Sequence, residues 1–173
     1  TAPVCAEVGP DGALWICDWY NLIVQHNPTP SAASSGVDAE TGRGNAYETP
    51  LRDKDIGRIW RVYPKNSANE PAPRLDPAQP DTLVAALDDS NLLWRLHAQR
   101  LLVEGGHRQV APALRSLVAK NGTAAVHAFH TLAGLAQLDA AIVKTALASP
   151  EFGVRRTAFE IAAKSYPELL RQH

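Results

Sequence analysis

Apolar residues return every thirty positions through the second half of this chain. Leu87, Leu117 and Leu147 stand one period apart, as do Ala98, Ala128 and Ala158. Leu83, Ala113 and Val143 keep the same register, and so do Leu102, Leu132 and Ala162. The dipeptide His97-Ala98 recurs at His127-Ala128. A fixed period of this size, filled with helical pattern, predicts stacked helical pairs, each burying its apolar face against its neighbours. Helix punctuation then places the elements. Pro80-Asp81 opens a short helix through Leu87. Asp89 or Ser90 caps a second, which runs to Glu104 before Gly105-Gly106. A third covers Gln109 to Lys120, with Pro112 in its first turn, where proline is tolerated. The fourth spans Thr123 to Ala136. Asp139 caps a fifth through Ala148, and Ser149, with Pro150 at the first position, caps a sixth. Pro167 opens a seventh, which the end of the sequence cuts short.

The first half has a different period. Val4 to Cys17 alternates as a β-hairpin about Pro10-Asp11-Gly12, with glycine at the left-handed third position of the turn. Gly9 then faces Ala13, Glu7 faces Trp15 and Cys5 faces Cys17. Ala6, Val8, Leu14 and Ile16 share one face of the hairpin; Cys5, Glu7, Trp15 and Cys17 share the other. Residues 56–63 resume strand character, with Arg58 and Trp60 on one face and Ile59 and Arg61 on the other. Between them lies a long excursion, residues 19–55, rich in Pro, Ser, Gly and Ala; a loop of this length inside a compact domain is unusual and often functional. Residues 65–80, rich in Pro, Asn and Ala, read as a linker. Three strands alone form one sheet with open edges and little core. The chain therefore reads as the end of a longer protein, an expectation that its Thr1-Ala2-Pro3 start and its lack of methionine strengthen.

Composition narrows the classes. With 173 residues, 45% of them apolar, the chain can bury a core, and its net charge of −1 argues against a nucleic-acid surface. No run of eighteen apolar residues is present, so no membrane span is expected. Cys5 and Cys17 belong to no C-x-x-C or C-x-x-C-H motif, so no c-type haem is expected within the segment. They are either small buried residues or a disulfide. Direct opposition favours the bridge, whereas the wide, hydrogen-bonded pairing at this register disfavours it.

Val8-Gly9-Pro10-Asp11-Gly12-Ala13-Leu14-Trp15-Ile16, then Asp18-Trp19-Tyr20-Asn21, His26-Asn27 and Gly57-Arg58-Ile59-Trp60-Arg61-Val62, resemble the last β-propeller blade of the membrane-bound dehydrogenases described in planctomycetes and verrucomicrobia. Those proteins are similar to glucose and sorbosone dehydrogenases. In them the blade is followed by HEAT-type helical repeats, and often by a c-type cytochrome domain. The resemblance implies sugar or alcohol oxidation that passes electrons to a cytochrome. It implies pyrroloquinoline quinone or c-type haem in the parent protein and no cofactor within this segment. It also implies a periplasmic or secreted location, with the remaining blades, or another subunit, as partners. One blade cannot form a propeller's central site, and fold does not fix function.

The chemistry-bearing candidates lie in the first half. Asp18 and His26 are the catalytic candidates, a carboxylate and an imidazole suited to general-base work or to holding a cation. The structural alternative has Asp18 capping a turn and His26 packed under the loop. Arg58 and Trp60 are the substrate-binding candidates, as part of an anion clamp; otherwise the arginines of this strand pair with Asp53 or Asp55, or stack on Trp60. Asp38, Glu40, Asp53 and Asp55 lack the close spacing of a calcium site, so no metal is expected. His97 and His127 either line a concave surface together or are simple repeat residues. Arg95 and Arg155 are expected to tie adjacent repeats through carboxylates and carbonyls, with Asp88 or Asp89 as acceptors.

The sequence thus predicts an α+β chain. Residues 1–64 form a terminal propeller-type segment, 65–80 a linker and 81–173 HEAT-like repeats. Its expected role is the structural and docking portion of a dehydrogenase; the alternative is a non-catalytic repeat scaffold.

Overall fold

The computed structural model describes residues 3–19, 57–66 and 72–172. The chain divides into two compact units, residues 1–70 and 71–173.

The first unit is an antiparallel sheet of β1 (Pro3–Val8), β2 (Leu14–Asp18) and β3 (Arg58–Val62), in the order β1-β2-β3. The turn forms as the sequence dictates. Gly12 takes φ +74°, Gly9 N donates to Ala13 O at 2.8 Å, and Gly12 N donates to Gly9 O at 3.1 Å. That turn sets the register Val8 to Leu14, Glu7 to Trp15, Ala6 to Ile16 and Cys5 to Cys17. β3 then runs back along β2, with Leu14 opposite Val62, Ile16 opposite Trp60 and Asp18 opposite Arg58. The pairing slips between Pro3 and Cys5, so the ladder ends in an irregular step at Val4.

The second unit contains six α-helices: α1 (Pro80–Ala86), α2 (Leu92–Glu104), α3 (Ala111–Lys120), α4 (Thr123–Gly134), α5 (Ala140–Leu147) and α6 (Phe152–Ser165). Short 3₁₀ turns occupy Arg108–Val110 and Pro167–Gln172, the latter where a seventh helix is expected. The helices form three successive hairpins, α1/α2, α3/α4 and α5/α6. Across the hairpins α2 packs on α4 and α4 on α6, while α3 packs on α5. Among the described residues the fold is therefore α+β, a three-stranded sheet followed by six helices.

The thirty-residue period is strict in the second helix of each hairpin. Ala98, Ala128 and Ala158 are all fully buried, as are Leu102, Leu132 and Ala162. In the first helices it drifts. Ala113 is exposed, and α3 buries Ala111, Leu114 and Val118 instead. The 3₁₀ turn at Arg108–Val110 rotates α3 by one position, so Leu83 is answered by Leu114 rather than Ala113. Phe129 is the largest fully buried side chain. Leu75 packs against the same core, and Asp76 closes a turn by accepting from Ala78 N at 2.9 Å. The end of the expected linker therefore belongs to the helical unit.

The caps follow local hydrogen bonding. Asp139 accepts from Ile142 N at 2.9 Å, as a cap of α5 should, and these backbone donors hold its carboxyl below the usual range, with Arg115 adding to the effect. For α2 the cap is Asn91, which accepts from Leu93 N at 3.0 Å, rather than Asp89 or Ser90. The Arg95 guanidinium claims the carbonyls of Asp89 and Ser90 and holds both residues outside the helix. Helix α6 begins at Phe152, not at Pro150. Ser149 donates its hydroxyl to Asn121 Oδ1 and accepts from Glu151 N at 3.1 Å, so it closes a local turn and leaves the first amides of the helix uncapped.

Candidate functional site

The two faces of the sheet carry separate polar groups. On one face Asp18 is buried at the end of β2, 3% exposed, and accepts from Trp60 Nε1 at 2.9 Å. The register causes this: Trp60 lies opposite Ile16, one pleat from Asp18, and the indole reaches diagonally across the ladder. Arg58 lies over the same indole, its guanidinium carbon 5.7 Å from the ring centroid. Asp18 is therefore a strand residue engaged by a tryptophan. Arg58 and Trp60 do come together with Asp18. His26 lies outside the described residues, as do Asp38, Glu40, Asp53 and Asp55.

The opposite face holds a cluster that sequence reasoning passed over. Asp11, in the hairpin turn, accepts from Ala13 N at 3.1 Å and from Trp15 Nε1 at 3.0 Å, and its other oxygen pairs with Arg61 Nε. The Trp15 and Arg61 bonds, and behind them the backbone donors, lower the Asp11 carboxyl to about 2. Arg61 also lies 4.5 Å over the Tyr63 ring. The indole of Trp15 covers Gly9 so closely that a Cβ there would sit 2.2 Å from Trp15 Cδ1. The signal was in the sequence: an aspartate at the second turn position, a tryptophan four residues on, and an arginine facing that tryptophan across the ladder. Alone, the aspartate reads as turn chemistry; the register of the third strand is what brings Arg61 to it.

Cys5 and Cys17 face one another as expected. Both are exposed free thiols, so the buried alternative does not hold.

In the helical unit His97 and His127 share a repeat position but not an environment. His127 is buried; His97 is exposed, its ring tilted against Trp94 at 6.1 Å. Arg95 and Arg155 do repeat in structure. Each donates Nη1 to two carbonyls of the turn before its own helix, Asp89 and Ser90 for the first, Ser149 and Pro150 for the second. Their Nη1 acceptors are thus carbonyls inside one hairpin, not the carboxylates of Asp88 or Asp89, while Arg95 Nε also reaches His127 of the next hairpin. Among the described residues no three His, Cys, Asp or Glu side chains gather as a metal site, and no helix is long and apolar enough to cross a membrane.

These residues do not fit the cofactors that the resemblance implies. A c-type haem needs two cysteines two residues apart followed by histidine, which the sequence lacks. Pyrroloquinoline quinone is a polycarboxylate, and Arg58 and Arg61 project from opposite faces of β3, so they do not converge on one ligand.

A family model described as a domain of unknown function, DUF7133, matches residues 1–66, which is the sheet unit almost to its end. No curated protein and no solved structure matches the chain.

Proposed function

We propose that this segment plays structural and docking roles in a propeller-type dehydrogenase. The sheet is its last blade. The three hairpins form a HEAT-like solenoid that receives an electron-accepting cytochrome, in a periplasmic or secreted protein that oxidises sugars or alcohols. The observation that carries this reading is the state of the sheet. Val4, Val8, Leu14, Ile59, Trp60 and Val62 are exposed on both its faces, and the outer edges of β1 and β3 have no strand neighbour among the described residues. An apolar sheet of this size needs further strands or a covering layer to be stable. Its strand-turn-strand sequence resembles a propeller blade, where radial neighbours supply both. A second reading, an interaction scaffold without a reaction, is favoured by the way Asp18 and Asp11 are taken up by Trp60, Trp15 and Arg61.

Dye-linked oxidation of sugars and alcohols by the native polypeptide that carries these residues separates the readings. The dehydrogenase reading expects turnover with a small dye, and kcat retained within about twofold in Asp18→Asn and in His26→Ala. Absence of turnover in the native polypeptide leaves the scaffold reading. A loss of about 10²-fold or more in a folded Asp18→Asn variant, the size of a lost general base, contradicts a purely structural role for this segment.

A further inference from the structure

The hairpins stack through one surface that the chain uses twice and then offers a third time. On α2, Arg95 Nε donates to His127 Nε2 at 3.3 Å and Gln99 Oε1 meets His127 Nδ1 at 2.9 Å, which seats α4. On α4, Val126 and Phe129 continue that surface; a methyl group added at Gly153 of α6 would rest 3.7 Å from Val126, and Phe129 is fully buried. On α6 the same register returns as Phe152, Arg155 and Phe159, sixty positions beyond Leu92, Arg95 and Gln99. Phe152 is 71% exposed and Phe159 57%. With Leu147, Arg156 and Leu170 they line a groove of about 440 Å³.

Arg155 is built as Arg95 is. Its Nη1 donates to the carbonyls of Ser149 and Pro150, at 2.8 and 2.6 Å, which fixes the guanidinium plane. In Arg95 that arrangement leaves Nε for a histidine of the next second helix. In Arg155 the Nε has no hydrogen-bond partner among the described residues. The matching histidine position exists at the other end of the row: His97 on α2 stands where His127 stands on α4, and it is exposed beside Trp94.

We propose that a second copy of this chain docks head to tail on α6. Its α2 lies along α6 as α4 lies along α2, and its His97 accepts the Arg155 Nε–H while Phe152 and Phe159 are covered. The occupant is a second copy because the chain carries both halves of one contact, the donor face on α6 and the acceptor face on α2, in the register that already joins α2 to α4. Such a contact is heterologous and does not close at two copies, so assembly is open-ended. This inference rests on the helical unit and is independent of the dehydrogenase reading.

Sedimentation velocity of the full chain over a wide concentration range tests it. The expected result is a mass that keeps rising with concentration. Phe159→Arg blocks the α6 face, and His97→Arg, which sets like charge against Arg155, blocks the α2 face; each alone is expected to be monomeric. Their equimolar mixture keeps one intact end on each partner and is expected to give a dimer and nothing larger. Circular dichroism checks that each variant is folded, and Phe152→Arg replaces Phe159→Arg if the latter is not. A native chain that stays monomeric throughout, a His97→Arg variant that still self-associates, or a mixture of folded variants that stays monomeric would each overturn the proposal.

Discussion

Arg95 on α2 and His127 on α4 share one hydrogen bond, Nε to Nε2, at 3.3 Å. A guanidinium only donates, so Nε2 accepts, and the ring proton sits on Nδ1, where it donates to Gln99 Oε1 at 2.9 Å. The packed histidine is therefore neutral. Burial above all, then the charges of Arg95 and His130, lowers its pKa from the ordinary 6.5.

That arrangement fixes a sign. Below pH 6.5 the unfolded chain takes up a proton at His127 that the folded chain refuses. Stability thus depends on pH there, complete above the ordinary value and lost as pH falls through the folded one. Urea unfolding at pH 7.5 and 5.5 is expected to show lower stability at the acid value, and His127→Ala is expected to reduce that difference. The substitution itself costs about 1–3 kcal/mol at neutral pH, because Arg95 and Gln99 lose their shared partner.

Asp11 behaves in the same direction at a lower pH. Its contribution to the sheet is complete above the ordinary 3.8 and is lost as pH falls toward about 2. A carboxyl titration followed by NMR is expected to place its midpoint near the lower value. Arg61→Ala and Trp15→Phe should each move the midpoint up, since each removes one of the two largest causes. An unshifted midpoint in both variants would show that the pairing is not formed in solution.

Gly9→Ala tests the seat of the Trp15 indole. The added methyl cannot occupy a position 2.2 Å from Cδ1, so the ring must swing off the turn and release Asp11. A cost of about 1–3 kcal/mol is expected, as for other overpacking changes. It should come with a change in tryptophan emission, read alongside urea unfolding.

Ala136→Gly is expected to stabilise. Helices α2 and α4 end alike, with His107 N donating to Leu102 O at 3.1 Å and Gln137 N to Leu132 O at 2.8 Å. The left-handed residue in the first ending is Gly106, at φ +62°, but in the second it is Ala136, at φ +55°. Removing the Cβ there relieves a strain of about 1 kcal/mol, less what glycine adds to unfolded-chain entropy. A small rise in melting temperature checks it.

The elements were legible because their signals are local. A Pro-Asp-Gly turn fixes a hairpin register by itself, and that register brought Cys5 opposite Cys17, while strand alternation alone put Arg58 on the face of Trp60. The second-helix period was legible for a similar reason: Ala98, Ala128 and Ala158 must be small wherever hairpins stack. What escaped was set by partners distant in sequence. Asp11 meets Arg61 fifty residues away. Asn121 takes the Ser149 hydroxyl and moves a helix start, and one 3₁₀ turn shifts the buried stripe of α3 from Ala113 to Leu114. His97 and His127 look equivalent in the sequence, yet only the second has a helix packed against it.

The dependence of the sheet on neighbouring strands is best tested by amide hydrogen exchange on the native polypeptide that carries these residues. The outward-facing amides of β1 and β3 are predicted to exchange as slowly as those of the β1–β2 ladder, because further strands pair with them. Fast exchange at both outer edges, beside a slow β1–β2 ladder, would contradict the account and leave a three-stranded sheet that stands without strand partners.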